Sequence, residues 1–161
     1  MRYDPKYLEE GLSKIYVGGD HRGWYLRQAT LQFCVSKRVP FEDMGNTDED
    51  PQDDYPDYAE PVAQAVAADP MALGVLICGS GHGMAIAANK VDGARAAVCH
   101  TAEEVELARA HNHMNILCLA ADTFDEFKLV RLMEEYMNTL TSDDPRHIRR
   151  LDKIKRIEQD N

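Results

Sequence analysis

Residues 72–90 read ALGVLICGSGHGMAIAANK, and this stretch decides the fold. Residues 72–78 form a short apolar run, which is typical of a central parallel strand buried on both faces. Three alternating glycines follow, and residues 82–90 have the composition of a short helix. The stretch therefore predicts a strand, a glycine-rich turn and a helix, with the thiol of Cys78 at the end of the strand.

The alternation of strand and helix continues in both directions along the chain. Further strands are predicted over 14–19, 39–45, 94–99 and 114–120. Further helices are predicted over 24–37, 55–69, 102–111, 124–140 and 145–159. Pro40 either weakens the second strand or moves it towards an edge of the sheet. This pattern predicts a three-layer α/β/α sandwich with a five-stranded parallel sheet, Rossmann-like or flavodoxin-like, plus a basic C-terminal helix.

Length, charge and cysteine content limit the number of domains, the partners and the cellular compartment that the protein can have. The chain has 161 residues, which predicts one domain over 1–161, with 1–13 as an N-terminal extension. The net charge of −10 disfavours nucleic acid and anionic membranes as partners. We find no apolar run near the roughly 18 residues that span a bilayer, and the polar N-terminus is not a secretory signal. Four cysteines without a C-x-x-C pair indicate free thiols in a reducing, cytoplasmic compartment.

The glycine-rich turn is the first candidate site, because ligands of such sheets bind at the carboxyl ends of the strands. Glycines 79, 81 and 83 either allow a tight turn or expose backbone N–H groups that bind an anion at a helix start. The spacing G-x-G-x-G differs from the dinucleotide and P-loop motifs. Met84 also stands where a phosphatase loop would need arginine.

Cys78 is the first candidate for chemistry. Removal of a proton next to a carbonyl gives an enediolate, whose charged oxygens need fixed donors nearby. A helix N-terminus increases the thiolate fraction of a cysteine, so that Cys78 could act as the base. The alternative is that Cys78 is a small buried hydrophobe, and the local sequence leaves both interpretations open.

Five motifs together point to one family. They are GGDHRG at 18–23, DYPDYA at 54–59, CGSGHGMAIAANK at 78–90, ARAHN at 108–112 and PRHIRR at 145–150. In this order and spacing they resemble the type B ribose-5-phosphate isomerases, the family that includes the galactose-6-phosphate isomerase subunits. The resemblance covers residues 14–157. It implies an aldose–ketose isomerase of the pentose phosphate pathway that interconverts ribose 5-phosphate and ribulose 5-phosphate through a cis-enediolate.

The resemblance also assigns catalytic and substrate-binding residues. It implies that Cys78 moves the C2 proton, since Met84 stands where some members carry a glutamate, and that His111 opens the sugar ring. From the sequence alone, a histidine that ends a helix is more often a C-cap, and residues 18–23 are equally a strand-ending turn with a helix cap. The substrate-binding residues that the resemblance implies are Asp20, His21, Tyr55, Gly79, Ser80, Gly81, His82, Gly83 and Asn112. Among them, His82 has no assigned role.

The basic helix at 145–159 is the candidate phosphate site. The family pattern implies Arg146, His147 and Arg150 as phosphate ligands, and arginine suits a phosphate dianion. The alternative is a solvated helix face. The resemblance further implies a homodimer or homotetramer with active sites at the subunit interface, where this helix would lie. We expect no cofactor and no metal, because neither His111–His113 nor Cys99–His100 belongs to a tetrahedral ligand set.

One position departs from the family pattern. Asp122 stands after the fifth strand, where the family commonly has an arginine that contacts the substrate. An aspartate repels phosphate or pairs with another basic group. The departure leaves open an isomerase of a hexose phosphate of the galactose or allose 6-phosphate type. Outside the enzymes, the alternative is a non-catalytic sugar-phosphate-binding module.

Overall fold

The computed structural model describes residues 11–160, so that residues 1–10 of the predicted N-terminal extension lie outside the described residues. Its strands are β1 (Ile15–Gly19), β2 (Phe41–Asp43), β3 (Leu73–Cys78), β4 (Ala96–Val98) and β5 (Ile116–Ala120). Its helices are α1 (Trp24–Lys37), α2 (Pro56–Ala68), α3 (His82–Ala88), α4 (Ala102–Asn112), α5 (Glu126–Asn138) and α6 (Pro145–Gln159). The predicted elements are all confirmed.

The five strands form one parallel sheet in the order β2-β1-β3-β5-β4. Every residue of β3 is buried, as its apolar run predicts. β2 is an exposed edge strand, in agreement with the position of Pro40. The order differs from the flavodoxin-like order 2-1-3-4-5 only in the exchange of β4 and β5.

Helices cover both faces of the sheet and divide the apolar core into two parts. On one face α1, α4 and α5 bury side chains such as Phe33, Val105 and Leu132 against the sheet. On the other face α2 and α3 bury Val62 and Met84. The predicted three-layer sandwich is thus confirmed. Within residues 11–160 no helix is both long and apolar enough to cross a bilayer.

The parallel sheet has two unlike edges, which we call the carboxyl edge and the amino edge after the strand ends that lie there. Cys78 and the turn that follows β1 lie at the carboxyl edge. At the amino edge, the Gly74 N–H of β3 donates to the Asn115 carbonyl at 2.8 Å, just before β5 begins. The Gly93 N–H donates to a carboxylate oxygen of Glu158 at 3.1 Å. This bond fixes α6 at the amino edge.

Candidate active site

Cys78 ends the central strand β3 and is 5% exposed. The Gly81 N–H lies 3.2 Å from the Cys78 Sγ and donates a hydrogen bond to it. Gly81 adopts a φ of +78°, in the left-handed region that favours glycine. The loop after β3 therefore folds back over the thiol and directs a backbone N–H group at it.

Side chains pack closely against the other two loop glycines. A Cβ at Gly79 would lie 2.6 Å from the Arg22 Nε. A Cβ at Gly83 would lie 2.9 Å from the Tyr55 ring. The requirement for a tight turn therefore accounts for Gly81 only. The predicted substrate residue Tyr55 lies beside the loop, together with Arg22, which sequence reasoning missed although it lies in the GGDHRG motif.

Asp20 follows β1 and lies beside β3. Its N–H donates to the Ile77 carbonyl at 3.2 Å, and its carboxylate accepts the Gly23 N–H at 3.0 Å. Asp20 thereby caps the 3-10 turn His21–Gly23 that precedes α1, as the strand-ending turn with a cap requires. The Asp20 side chain is buried, and burial raises its pKa. Since Gly19 pairs with Ile77, the next position of the parallel register puts Asp20 level with Cys78.

His21 is held by Asp53, a residue that sequence reasoning missed. The His21 Nδ1 lies 2.6 Å from the Asp53 Oδ1, which also accepts the His21 N–H at 3.1 Å. The hydrogen bond to Asp53 raises the pKa of His21. Burial alone would raise the pKa of Asp53, but hydrogen bonds from His21 and Tyr58 lower it. The hydrogen bond to Asp53 therefore stabilises the protonated form of His21 relative to a free histidine.

The acidic stretch 46–54 forms a mostly exposed loop before α2. The Asp53 side chain is an exception, because only 6% of it is exposed. Its one available signal was its position next to the DYPDYA motif. Ligand atoms of Asp20, His21 and Asp53 lie within 4.8 Å of one another, so that these residues could also hold a metal ion. The expectation of no metal stays a prediction.

Asp122 pairs with a basic group, which is one of the two roles expected for it. Its Oδ2 lies 2.5 Å from the Arg22 Nη2, and its N–H donates to the Gly79 carbonyl at 3.0 Å. The residue that departs from the family pattern is thereby joined both to the loop and to Arg22. Both side chains of this ion pair are about half exposed, so that it lies at the rim of the site.

A second group of predicted residues lies at the amino edge. The rings of His111 and His147 stack at a centroid distance of 4.2 Å and an interplanar angle of 6°. Burial, followed by the proximity of His111 and Arg146, lowers the pKa of His147. The Arg146 Nε lies 3.3 Å from the His147 Nε2. The residue at the helix C-cap is His113, with a φ of +49°, and not His111.

The sheet separates the two groups within one chain. The carboxyl-edge group contains Asp20, His21, Tyr55, Cys78, Gly79, Ser80, Gly81, His82 and Gly83. The amino-edge group contains His111, Asn112, Arg146, His147 and Arg150. The 11 residues of α4 carry the chain about 16 Å from the first edge to the second. Cys78 and His111 of one chain therefore lie at opposite edges of the sheet.

Comparison with known proteins agrees with this architecture. Residues 15–154 match the family model described as Ribose/Galactose Isomerase. A probable ribose-5-phosphate isomerase B of Mycoplasma pneumoniae is 36% identical over 146 residues, which cover 91% of this chain and 95% of the relative. A ribose-5-phosphate isomerase B from Mycolicibacterium paratuberculosis is 34% identical, with coverages of 91% and 92%.

Solved structures show the same fold. The structure of ribose-5-phosphate isomerase B from Mycoplasma genitalium with bound ribulose-5-phosphate has a TM-score of 0.86 at 34% identity and covers 92% of this chain and 97% of that chain. The type B enzyme from Trypanosoma cruzi also has a TM-score of 0.86 at 34% identity, with coverages of 92% and 99%. The protein is an enzyme of the aldose–ketose isomerase class. The chain belongs to the ribose/galactose isomerase family, and the predicted family is confirmed.

Proposed function

We propose that this chain interconverts ribose 5-phosphate and ribulose 5-phosphate. The observation that carries the proposal is the Cys78 thiol, buried at the carboxyl edge with the Gly81 N–H 3.2 Å from its sulfur. A base beside a backbone donor is the arrangement that proton transfer through an enediolate requires. The choice of substrate is supported by the relatives named above, since the structure of one of them contains bound ribulose-5-phosphate.

In the proposed reaction His111 first protonates the ring oxygen of the furanose. The bond between this oxygen and C1 then breaks, and the C1 hydroxyl gives up its proton to solvent, so that the sugar opens to its aldehyde. Cys78, as the thiolate, takes the proton from C2, and the electron pair moves towards the C1 oxygen. The N–H groups of residues 79–83 and the Ser80 hydroxyl stabilise the enediolate. The thiol then returns the proton to C1, and the C2 hydroxyl proton passes to the C1 oxygen. The proton transfers thus convert the aldose phosphate into the ketose phosphate without any other reactant.

We further propose that each active site is shared by two subunits. The separation of Cys78 from His111 within one chain supports this arrangement. The exposed apolar residues Ile148, Ile154 and Ile157 on α6 also support it, because they offer apolar surface at the amino edge. In a homodimer, or in a homotetramer built from such dimers, His111, Asn112, Arg146, His147 and Arg150 of one subunit would face Cys78 of the other.

We also propose that the enzyme acts in the reducing cytoplasm and needs no cofactor. Cys34, Cys78, Cys99 and Cys118 are all free and buried. The chemistry supports the location as well, since a cysteine serves as a base only while its sulfur is reduced.

The test is turnover in deuterated water. The protein is mixed with ribose 5-phosphate, and proton NMR follows the appearance of ribulose 5-phosphate and of deuterium at C2 of the aldose. Isomerisation with deuterium incorporation is expected. Turnover of galactose 6-phosphate or allose 6-phosphate in place of the pentose would reassign the substrate to the hexose phosphates. Binding of these sugars without any exchange would identify a non-catalytic module.

A further inference from the structure

Arg22 occupies a position beside the reactive thiol. A Cβ added to Gly79, the residue that follows Cys78, would lie 2.6 Å from the Arg22 Nε and 2.7 Å from its Cζ. The guanidinium therefore fills the space that a side chain at Gly79 would take. A ligand that enters the loop region above Cys78 consequently passes within reach of Arg22.

Asp122 holds this guanidinium in place. Its Oδ2 pairs with the Arg22 Nη2, and its own N–H is bonded to the Gly79 carbonyl at 3.0 Å. Within residues 11–160, the Arg22 side chain makes one hydrogen bond, which it donates to Asp122. A guanidinium has five N–H donors. With the Arg22 side chain 57% exposed, most of these donors remain available to a ligand.

The depth of the groups indicates which end of the substrate Arg22 meets. Cys78 is 5% exposed, so that the reacting carbons must lie at the bottom of the site. Arg22 lies at the rim, where the far end of an open-chain sugar phosphate would lie. The planar fork of arginine matches two phosphate oxygens at once. The imidazole of His21, the neighbouring residue, lies at the same edge of the sheet, with its Nδ1 2.6 Å from the Asp53 Oδ1.

We propose that Arg22 binds the phosphate group of the sugar-phosphate substrate and that Asp122 is its positioning residue. The inference rests on the proposed function. It assigns a phosphate ligand to the same chain that carries Cys78, in addition to the residues of α6. The ion pair with Asp122 sets the direction of the Arg22 guanidinium, because the backbone N–H of Asp122 is hydrogen-bonded to the Gly79 carbonyl of the loop.

The first experiment compares Arg22→Gln with wild type. Competitive inhibition by inorganic phosphate and calorimetric binding of inorganic phosphate are both measured, together with kcat and KM for ribose 5-phosphate. Loss of one charge-assisted contact is expected to weaken phosphate binding and raise KM about tenfold or more, with kcat changed far less. The control is Arg131→Gln, which also removes one positive charge but lies on the exposed face of α5. It should keep the wild-type phosphate affinity, kcat and KM.

The second experiment tests the pair. Arg22→Asp alone is expected to lose phosphate affinity, and the exchange Arg22→Asp with Asp122→Arg is expected to recover most of it, because a guanidinium again lies over Gly79. Unchanged phosphate affinity in Arg22→Gln, or an exchange variant as weak as Arg22→Asp, would overturn the inference. Calorimetry needs no turnover, so that failure of the isomerase proposal would be seen separately, as a wild-type protein without activity on any sugar phosphate.

Discussion

The Nδ1 of His21 lies 2.6 Å from the Oδ1 of Asp53, and this oxygen also accepts the His21 backbone N–H. The two residues come from different loops at the carboxyl edge, one after β1 and one before α2. The carboxylate thus fixes both the backbone and the ring of His21. The arrangement raises the pKa of His21, so that the imidazolium persists to higher pH than in a free histidine.

Replacement of Asp53 by asparagine should therefore lower the pKa of His21. NMR titration of the histidine ring signals measures this change directly. The stabilisation from the raised pKa is fully present below about pH 6.5, the ordinary histidine value, and is lost as the pH rises through the folded-state pKa. Asp53→Asn should therefore destabilise the protein more at pH 6 than at pH 9, as measured by urea unfolding.

Asp48→Asn is the matched control for this substitution, because Asp48 lies in the same acidic loop and is exposed. It should leave the titration of His21 and the pH dependence of stability unchanged. An Asp53→Asn variant whose His21 titrates as in wild type would contradict the role of this hydrogen bond.

Alanine variants of two glycines in the left-handed region distinguish the effect of backbone strain on stability from an effect on catalysis. Gly81, with a φ of +78°, lies in the loop over Cys78, and Gly11, with a φ of +80°, precedes β1. Substitution of either by alanine should cost about 1–2 kcal/mol of unfolding free energy. Only Gly81→Ala should also reduce kcat, because it moves the N–H that points at the Cys78 sulfur. Equal kcat in the two variants would argue against a catalytic loop.

Removal of the thiol tests the base. Cys78→Ala should reduce kcat about 10²–10⁴-fold, which is the usual contribution of a general base. Binding of inorganic phosphate should change little, because the sulfur is not expected to contact the phosphate. Cys34→Ala removes another buried thiol, in α1, and should keep wild-type kcat. Substantial turnover by Cys78→Ala would exclude this residue as the base.

Much of the fold and part of the site could be predicted from the sequence. The apolar run of β3 has no polar face and is buried throughout, and helix α1 begins and ends at the predicted residues. These features depend on local patterns, which a single sequence displays. The neighbour of each strand depends on distant contacts, and the exchange of β4 and β5 in the sheet has no local signal.

The same reason explains the two residues that sequence reasoning missed. Asp53 lies in a run of acidic residues, and nothing in that run distinguishes the carboxylate that turns inward towards His21. Arg22 lies in a recognised motif, but its role depends on Asp122, which is 100 positions away in the chain. The placement of Cys78 and His111 at opposite edges, by contrast, follows from the parallel topology, because α4 must return to the amino edge before β5 begins.

This separation of Cys78 and His111 gives the strictest test of the shared active site. Cys78→Ala and His111→Asn should each be nearly inactive on ribose 5-phosphate when pure. If each site takes Cys78 from one subunit and His111 from the other, a mixed dimer of the two variants has one intact site and one site that lacks both groups. When equal amounts of the two variants are unfolded and refolded together, half of the dimers should be mixed. Because a mixed dimer has one intact site of two, the sample should show about a quarter of wild-type activity. Sites built within single subunits would leave the mixture as inactive as its parents, and sizing chromatography of the refolded sample verifies that dimers have formed.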